Sequence, residues 1–312
     1  MLSWLKSREK QGGWFAASLE DELLHFAHGR FAPPGDARIS AFGEKVLGTG
    51  RARLPKVASE LKLQAYRCST LLRPGEYQLL LVEAPNVPPA ELKSAMRWRV
   101  KDMIDYHIED ATLDVLDIPP PESAPSRAHM MYAVCAHNDV IQSCVKTYQE
   151  ARVPLSVIDI RETAQRNIAA LFEEESRGLA LAYFGEDWGL LTINFKSELY
   201  LARRFELGTK QLQASDEAVR KDAFERIGLE LQRTFDHFDR QFPYVPVGRL
   251  LIGPFPAPSA LTSHLTQNLT VPVMDIDLAG KITFAGGAPD ATAQWRYFHH
   301  FGAALRYEGK AL

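Results

Sequence analysis

The chain has 312 residues, 46% of them hydrophobic and 24% charged, and 36 Lys and Arg against 39 Asp and Glu give a formal net charge of −3. This length and composition support a sizeable globular core, larger than one small domain and short of three independent ones. The balance of charge leaves no basic footprint for nucleic acid. No apolar run approaches the ~20 residues of a membrane-spanning helix. The opening MLSWLKSREK has no signal-peptide core. It sets Met1, Leu2, Trp4 and Leu5 beside Lys6, Arg8 and Lys10, which reads as a frayed terminus or as a touch on an anionic membrane surface. Cys68, Cys135 and Cys144 are odd in number and lack CxxC spacing, so they read as free, buried or half-buried thiols in a reducing compartment.

Residues 13–26, GWFAASLEDELLHF, place two apolar stretches around Ser18-Leu19-Glu20-Asp21, the pattern of a hairpin turn. A looser region with Pro33-Pro34-Gly35 leads to a strand-like piece at 39–42. Pro55, Val57, Ala58, Leu61 and Leu63 predict a short helix before a strand at 65–72, and 79–82 is a compact apolar strand. Pro88 and Pro89 suit a helix start, because the first helical positions need no N–H partner. On that helix Leu92, Ala95, Met96, Met103 and Ile104 fall on or near one stripe. At about 100° per residue Trp98 lies elsewhere, among Glu91, Ser94, Lys101 and Asp105. An indole on a polar face contacts either another part of the chain, which is the expectation, or a partner. A further strand runs to Pro119, and the proline-rich 119–126 reads as the exit from an inserted unit.

Strand 130–136, helix 139–151, strand 153–160 and helix 163–172 follow in β-α-β-α order, which predicts parallel pairing. Ile141, Cys144, Val145, Tyr148 and Ala151 keep helical spacing and place Cys144 in a core. After 173–178 the runs 179–184, 189–195 and 199–206 read as an antiparallel meander. Ser215-Asp216-Glu217 starts a long helix with Phe224, Ile227, Leu231, Phe235, Phe238 and Phe242 on one face. Strand 250–252, helix 260–269, strand 271–276 and a closing helix at 295–306 complete the chain.

The segment from Leu79 to Pro119, LLLVEAPNVPPAELKSAMRWRVKDMIDYHIEDATLDVLDIP, resembles the inserted subdomain of the PilM family, the actin-like cytoplasmic proteins of type IV pilus assembly. Its wording RWRVKDMIDYHIEDA is most similar to the branch called MshI, which serves the mannose-sensitive haemagglutinin pilus. The likeness extends over nearly the whole chain and is also strong at VPLSVIDIRETAQRNIAALF (153–172) and FGAALR (301–306). Order and spacing carry it, not any single motif. It implies an α/β, actin-like, two-lobed fold of the FtsA/PilM type with a small inserted α/β subdomain. The implied first lobe is 12–48 and 129–176, the insert 49–128, and the second lobe 177–312, with a long-helix unit at 215–245 and a closing helix at 294–306.

In active relatives the turn between the first two strands of each lobe carries an Asp, then Gly and several Ser or Thr. Backbone N–H groups there face phosphate, and the Asp holds magnesium or its waters. The first-lobe turn here, from Gly13 through Ser18 to Glu22, lacks the glycine and the hydroxyl run and supplies Glu20, Asp21 and Glu22. In the second lobe the expected Asp falls on Tyr183, the hydroxyl run falls on Asp187-Trp188-Gly189-Leu190, and Gly185 alone remains. The two-glycine adenine turn reads Gly253-Pro254, and Pro254 can neither donate an N–H nor take the same backbone shape. Glu230 and Arg233 fall where relatives touch ribose, and they read more simply as solvated helix charges. The resemblance, so altered, implies a pseudo-ATPase: not an enzyme, and without a nucleotide cofactor.

His25 with His28 and the pair His299-His300 are the close histidine groupings, and no matching Cys or carboxylate set makes a metal site of them. GxSxG, HExxH and Walker A patterns are absent. The expectation is therefore an interaction protein, cytoplasmic and peripheral to the inner membrane through its partners. By resemblance it binds the cytoplasmic tail of a PilN-like inner-membrane protein, between the first lobe and the insert, alongside other pilus assembly components. The helix from Glu91 to Asp105 is the expected wall, with Trp98, Glu91, Lys101 and Asp105 as contacts. The alternative is an actin-like ATPase or another nucleotide-binding enzyme of that superfamily.

Overall fold

The computed structural model describes residues 12–32, 35–47, 54–120 and 129–307. The MLSWLKSREK segment and most of the 119–126 linker lie outside them. The first half contains β1 (Trp14–Glu20), β2 (Leu23–Ala32), β3 (Asp36–Val46), α1 (Leu54–Glu60), β4 (Arg67–Leu71), β5 (Tyr77–Glu83), α2 (Leu92–Val100), β6 (Ala111–Asp117), β7 (Met130–His137), α3 (Asn138–Glu150), β8 (Leu155–Asp159) and α4 (Arg161–Ala169). The second half contains β9 (Gly178–Phe184), β10 (Gly189–Phe195), β11 (Glu198–Phe205), α5 (Thr209–Leu212), α6 (Glu217–Gln241), β12 (Val247–Ile252), α7 (Leu261–Asn268), β13 (Val273–Asp275), β14 (Ile282–Phe284) and α8 (Ala291–Ala304).

The first large sheet has the order β14-β3-β2-β1-β4-β8: an antiparallel meander flanked by parallel strands. The second, β11-β10-β9-β12-β13, repeats the plan. Two sheets that each open with a three-stranded meander are the two lobes of an actin-like chain. The first hairpin turn falls later than expected. Ser18 and Leu19 stay in the strand, paired with His25 and Leu24, and the turn is Asp21-Glu22. Asp21 has φ of 54°, a left-handed conformation that Asp tolerates in a tight hairpin.

The third sheet, β5-β7-β6, is antiparallel throughout. Its strands run from Tyr77 to His137, so the sheets divide the chain differently from the expected insert at 49–128. Strand β4 belongs to the first lobe, because Cys68 and Ser69 pair with Phe15 and Ala16 of β1 in its core. β7 is the insert's central strand and is buried along most of its length. The parallel pairing expected for 130–172 is therefore wrong for β7, and α3 carries the chain from the insert back to β8, which lies parallel to β4. β14 was not anticipated. It returns the second half of the chain to the first sheet, parallel to β3, and three residues are too few for a periodic signal.

Helices α4 and α8 lie between the two large sheets and share one core with both. Ala164 and Ile168 meet Phe298 and Phe301, with Ala16 and Ile39 on one side and Leu181 and Leu251 on the other. The two helices approach so closely that a Cβ on Gly302 would stand 2.0 Å from the Ala164 carbonyl oxygen. The Asn167 side-chain amide donates to the Gly302 carbonyl (3.0 Å). Gln165 Nε2 donates to the Leu181 carbonyl (2.7 Å), the Leu190 carbonyl (3.2 Å) and Thr192 Oγ1 (3.1 Å), fastening α4 to the second meander. Asp216 and Asp290 cap α6 and α8, accepting from Ala218 N (2.8 Å) and Ala293 N (2.7 Å).

Gly302→Ala should destabilise the protein by about 3 kcal/mol, since the clash is with rigid helix backbone. Gly286→Ala, with nothing within 4 Å of the added Cβ, should stay within about 0.5 kcal/mol of the parent. Urea unfolding of both variants checks this, and equal midpoints would contradict the close-crossing account.

Candidate functional site

Around Tyr183 and Gly185, two of the positions expected to meet nucleotide, the chain's own side chains fill the space between the lobes. Tyr183 is buried. Its ring stacks on Phe298 (4.9 Å, 11° between planes) and meets the edge of His299 at 4.5 Å, and its hydroxyl donates to the Trp295 carbonyl (2.9 Å). Burial raises the pKa of that hydroxyl, so it stays a neutral phenol and supplies no negative charge where an Asp was expected. Trp188 lies 5.6 Å from Tyr183 and covers Gly185, whose added Cβ would come within 2.5 Å of the indole. The turn is closed on itself: Gly185 N–H donates to the Trp188 carbonyl (2.8 Å). Glu186 and Asp187 beside it pair with Lys210 at 3.3 and 3.6 Å. Gly253 N–H is likewise spent on the Ala182 carbonyl (2.7 Å) before Pro254. Glu230 pairs with Arg203 and with Arg233 (3.4 Å) on α6.

In the first lobe Ser18 is buried and hydrogen-bonded to His300, which stacks on His25. Arg161 binds Glu20 at 3.1 Å and lies 5.1 Å over Trp188. Glu162, only 1% exposed, ties two sheets to α4. It accepts from the Tyr77 hydroxyl of the insert and from Arg204 of the second lobe (3.1 and 2.9 Å), and sits itself at the start of α4. A buried carboxylate needs such pairing. The sequence reading did not pick out Glu162, Tyr77 or Arg204. The signal available was the DIRE run inside the 153–172 segment.

Alternation along the insert's strands separates two faces. Val82, Val115, Met131, Ala133 and Cys135 pack under Met96 and Val100 of α2. The opposite face turns Leu79, Leu116 and Tyr132 toward the lobes. The Tyr132 hydroxyl accepts from Ala202 N (3.0 Å) and donates to the Tyr200 carbonyl (3.4 Å), closing the edge of β11. Helix α2 therefore stands on the outer face. Trp98 is 72% exposed, which overturns the expectation that it packs within the chain, and Lys101 Nζ lies 5.6 Å over its ring. Glu91, Lys101 and Asp105 are exposed too, and Asp105 accepts from Gln78 Nε2 (3.5 Å).

An open groove occupies a different place, where the first lobe meets α3. It encloses about 370 Å³ and is lined by Leu19, Leu71, Leu72, Val140, Cys144 and Tyr148, with Arg73, Glu76 and Asp139 among its charged members. Neither Trp98 nor any other residue of the expected α2 wall lines it. Tyr148 anchors the floor, donating to the Ala17 carbonyl and lying 2.9 Å from Thr70 Oγ1. All three cysteines are free, and burial with the nearby Glu76 pushes the Cys144 thiol up to about 11, so it stays protonated. Among the described residues no His, Cys, Asp and Glu cluster could hold a metal, and no helix is long and apolar enough to cross a membrane.

The chain matches no protein-family model. It matches no curated protein by sequence. Among solved structures it is similar to a chain of the PilM-PilN type IV pilus biogenesis complex, with TM-score 0.65 and 18% identity over 94% of this chain and 96% of that one. Weaker likenesses are to a Bacteroides thetaiotaomicron protein with an actin-like ATPase fold (TM-score 0.49, 11% identity, 88% and 94% covered) and to the cytoplasmic domain of EpsL, an inner-membrane component of the Vibrio cholerae type II secretion system (0.43, 15%, 67% and 77%). The likeness to the chain of the PilM-PilN complex, at TM-score 0.65, shows a PilM-like, actin-like fold.

Burial, and then the nearby Arg161, hold His299 and His300 well below the usual histidine pKa. Unfolded, both bind protons near pH 6.5; folded, they do so only at lower pH. Stability should therefore be full above about pH 6.5 and fall as pH drops below it. Urea midpoints across that range, compared with His299→Gln/His300→Gln, check this. A parent no more pH-sensitive than the variant would contradict it.

Proposed function

We propose that this chain is a non-catalytic actin-like scaffold of a type IV pilus assembly complex, of the MshI type in the mannose-sensitive haemagglutinin pilus. Its partner is the cytoplasmic amino-terminal tail of a PilN-like inner-membrane protein. One contrast carries the reading: the space between the lobes is packed with Tyr183, Trp188, Phe298 and His299, while the meeting of the first lobe with α3 keeps an open, apolar-floored groove. A nucleotide needs free N–H donors and room for phosphates. An extended peptide needs pockets for alternate side chains. The overall likeness to a chain of the PilM-PilN complex and the sequence of the insert support the same reading. Partner tethering places the chain at the inner membrane from the cytoplasmic side.

Calorimetric titration with MgATP should give no saturable heat, and no turnover should exceed background. Saturable binding in the micromolar range would favour the ATPase alternative. A synthetic peptide of the PilN-like tail should bind the parent and bind Ser143→Trp at least about tenfold more weakly, because Ser143 is an exposed residue of the groove wall. Equal affinity would move the site elsewhere. Trp98→Ala should stay within about 0.5 kcal/mol of the parent's unfolding free energy, as its indole is exposed. A loss of tail affinity in that folded variant would make α2 a second contact.

A further inference from the structure

At one end of the first large sheet β1, β3, β4, β8 and β14 begin and β2 finishes. This follows from the pairing: β1, β4 and β8 run parallel, β14 runs with β3, and β2 runs against both its neighbours. In sheet order, that end carries Lys281 before β14, Arg38 of β3, Arg30 of β2, Arg67 of β4 and Arg152 before β8. All five are exposed. Among the described residues Arg30, Arg38, Arg152 and Lys281 form no salt bridge. Arg67 lies 4.3 Å over the Trp14 ring, a contact that leaves its charge in place. Of the nearby carboxylates, Asp36 at the start of β3 pairs with none of the five, and Asp277 accepts from the Gly280 N–H (3.1 Å). Arg30 and Arg38 are direct strand partners. Like charges so placed destabilise a sheet, and an anion lying over them relieves the cost.

The same end carries aromatic surface. Tyr307, 53% exposed, meets Phe31 beside Arg30 edge-on, with ring centres 6.0 Å apart. The chain also enters β1 here. A Cβ on Gly13 would stand 2.2 Å from the Gly29 carbonyl oxygen and 3.2 Å from Arg30 Cβ. The sequence leading to that point is MLSWLKSREK, which sets Met1, Leu2, Trp4 and Leu5 beside Lys6, Arg8 and Lys10, with Glu9 its one carboxylate.

We propose that this end of the first sheet docks on an anionic lipid bilayer. Arg30, Arg38, Arg67, Arg152 and Lys281 lie over acidic headgroups, and the apolar side chains of 1–5 enter the headgroup boundary. Basic residues gain from the negative surface potential, and the apolar group adds the second signal that stable peripheral binding needs. Methionine and leucine beside the lysines have a bilayer boundary to enter and no counterpart in the phosphate backbone of a nucleic acid. The groove lies toward the other end of β1 and β4, at Leu19, Leu71 and Leu72. That is roughly 15 Å along the strands, so lipid contact leaves it open.

Flotation of the full chain with vesicles tests this. Phosphatidylcholine vesicles with about 30% phosphatidylglycerol should carry the parent, and pure phosphatidylcholine vesicles should not. Salt at about 0.5 M should release most of it. Arg30→Glu/Arg38→Glu should lower the partition coefficient at least about tenfold, and Trp4→Ser/Leu5→Ser should lower it by a similar factor. Lys221→Glu/Arg226→Glu makes the same change of charge at exposed positions of α6 and should bind as the parent does. Circular dichroism confirms that each variant is folded. Equal flotation with both vesicle types, parent-like binding by the arginine or the tryptophan–leucine variant, or an equal loss in the α6 variant would overturn the proposal. So would a labelled DNA of about 20 nucleotides bound as tightly as the vesicles and through the same two arginines, which would assign the sheet end to nucleic acid.

Discussion

The crossing of α4 and α8 is the constraint on which the rest depends. Gly302 lets the two backbones meet at Ala164, and the Asn167 amide closes the crossing. Because α8 packs on the first large sheet and α4 on the second, the crossing sets the distance between the lobes. That distance leaves the space that Tyr183, Trp188 and His299 fill, and it brings the amino end of α4 to the meeting point of three sheets. There Arg161 reaches Glu20 of β1, and Glu162 collects Tyr77 of the insert and Arg204 of β11. The same short stretch of backbone thus serves first lobe, second lobe and insert.

Packing and charge pairing differ between two regions of the molecule. Where the lobes face each other, aromatic rings replace the small residues and free N–H groups that anions need, and the carboxylates Glu20, Glu186 and Asp187 are already paired with cations. Where the first lobe meets α3, a groove remains over the buried Leu71, Leu72 and Tyr148, and among the described residues its rim carboxylates Glu76 and Asp139 form no salt bridge to Lys or Arg. The first arrangement suits a rigid body. The second suits capture of a segment from outside.

Much of the fold was legible because it rests on local signals. The two meanders, the Asp216-capped α6 with its phenylalanine face, and the α3 stripe through Tyr148 all appear where periodicity and capping place them. What escaped depends on long-range pairing. β14 is three residues long, and its partner β3 lies more than two hundred residues away in the chain. β7 reads as the start of a β-α-β unit and is in fact the centre of another sheet. Tyr183 and Pro254 were legible as departures from the expected nucleotide-binding pattern, but that Trp188 would cover Gly185 was not. Trp98 was legible as an indole off the apolar stripe. Which face of the insert α2 covers depends on strand alternation in a sheet whose membership the sequence left open.

Hydrogen–deuterium exchange of the full chain, with the PilN-like tail peptide and separately with MgATP, tests the scaffold account most directly. The account predicts that the peptide slows exchange at 70–76 and 139–148, the two walls of the groove, and that MgATP leaves 183–190 and 252–256 unchanged. Protection of 183–190 and 252–256 by MgATP, with none at the groove from the peptide, would contradict it.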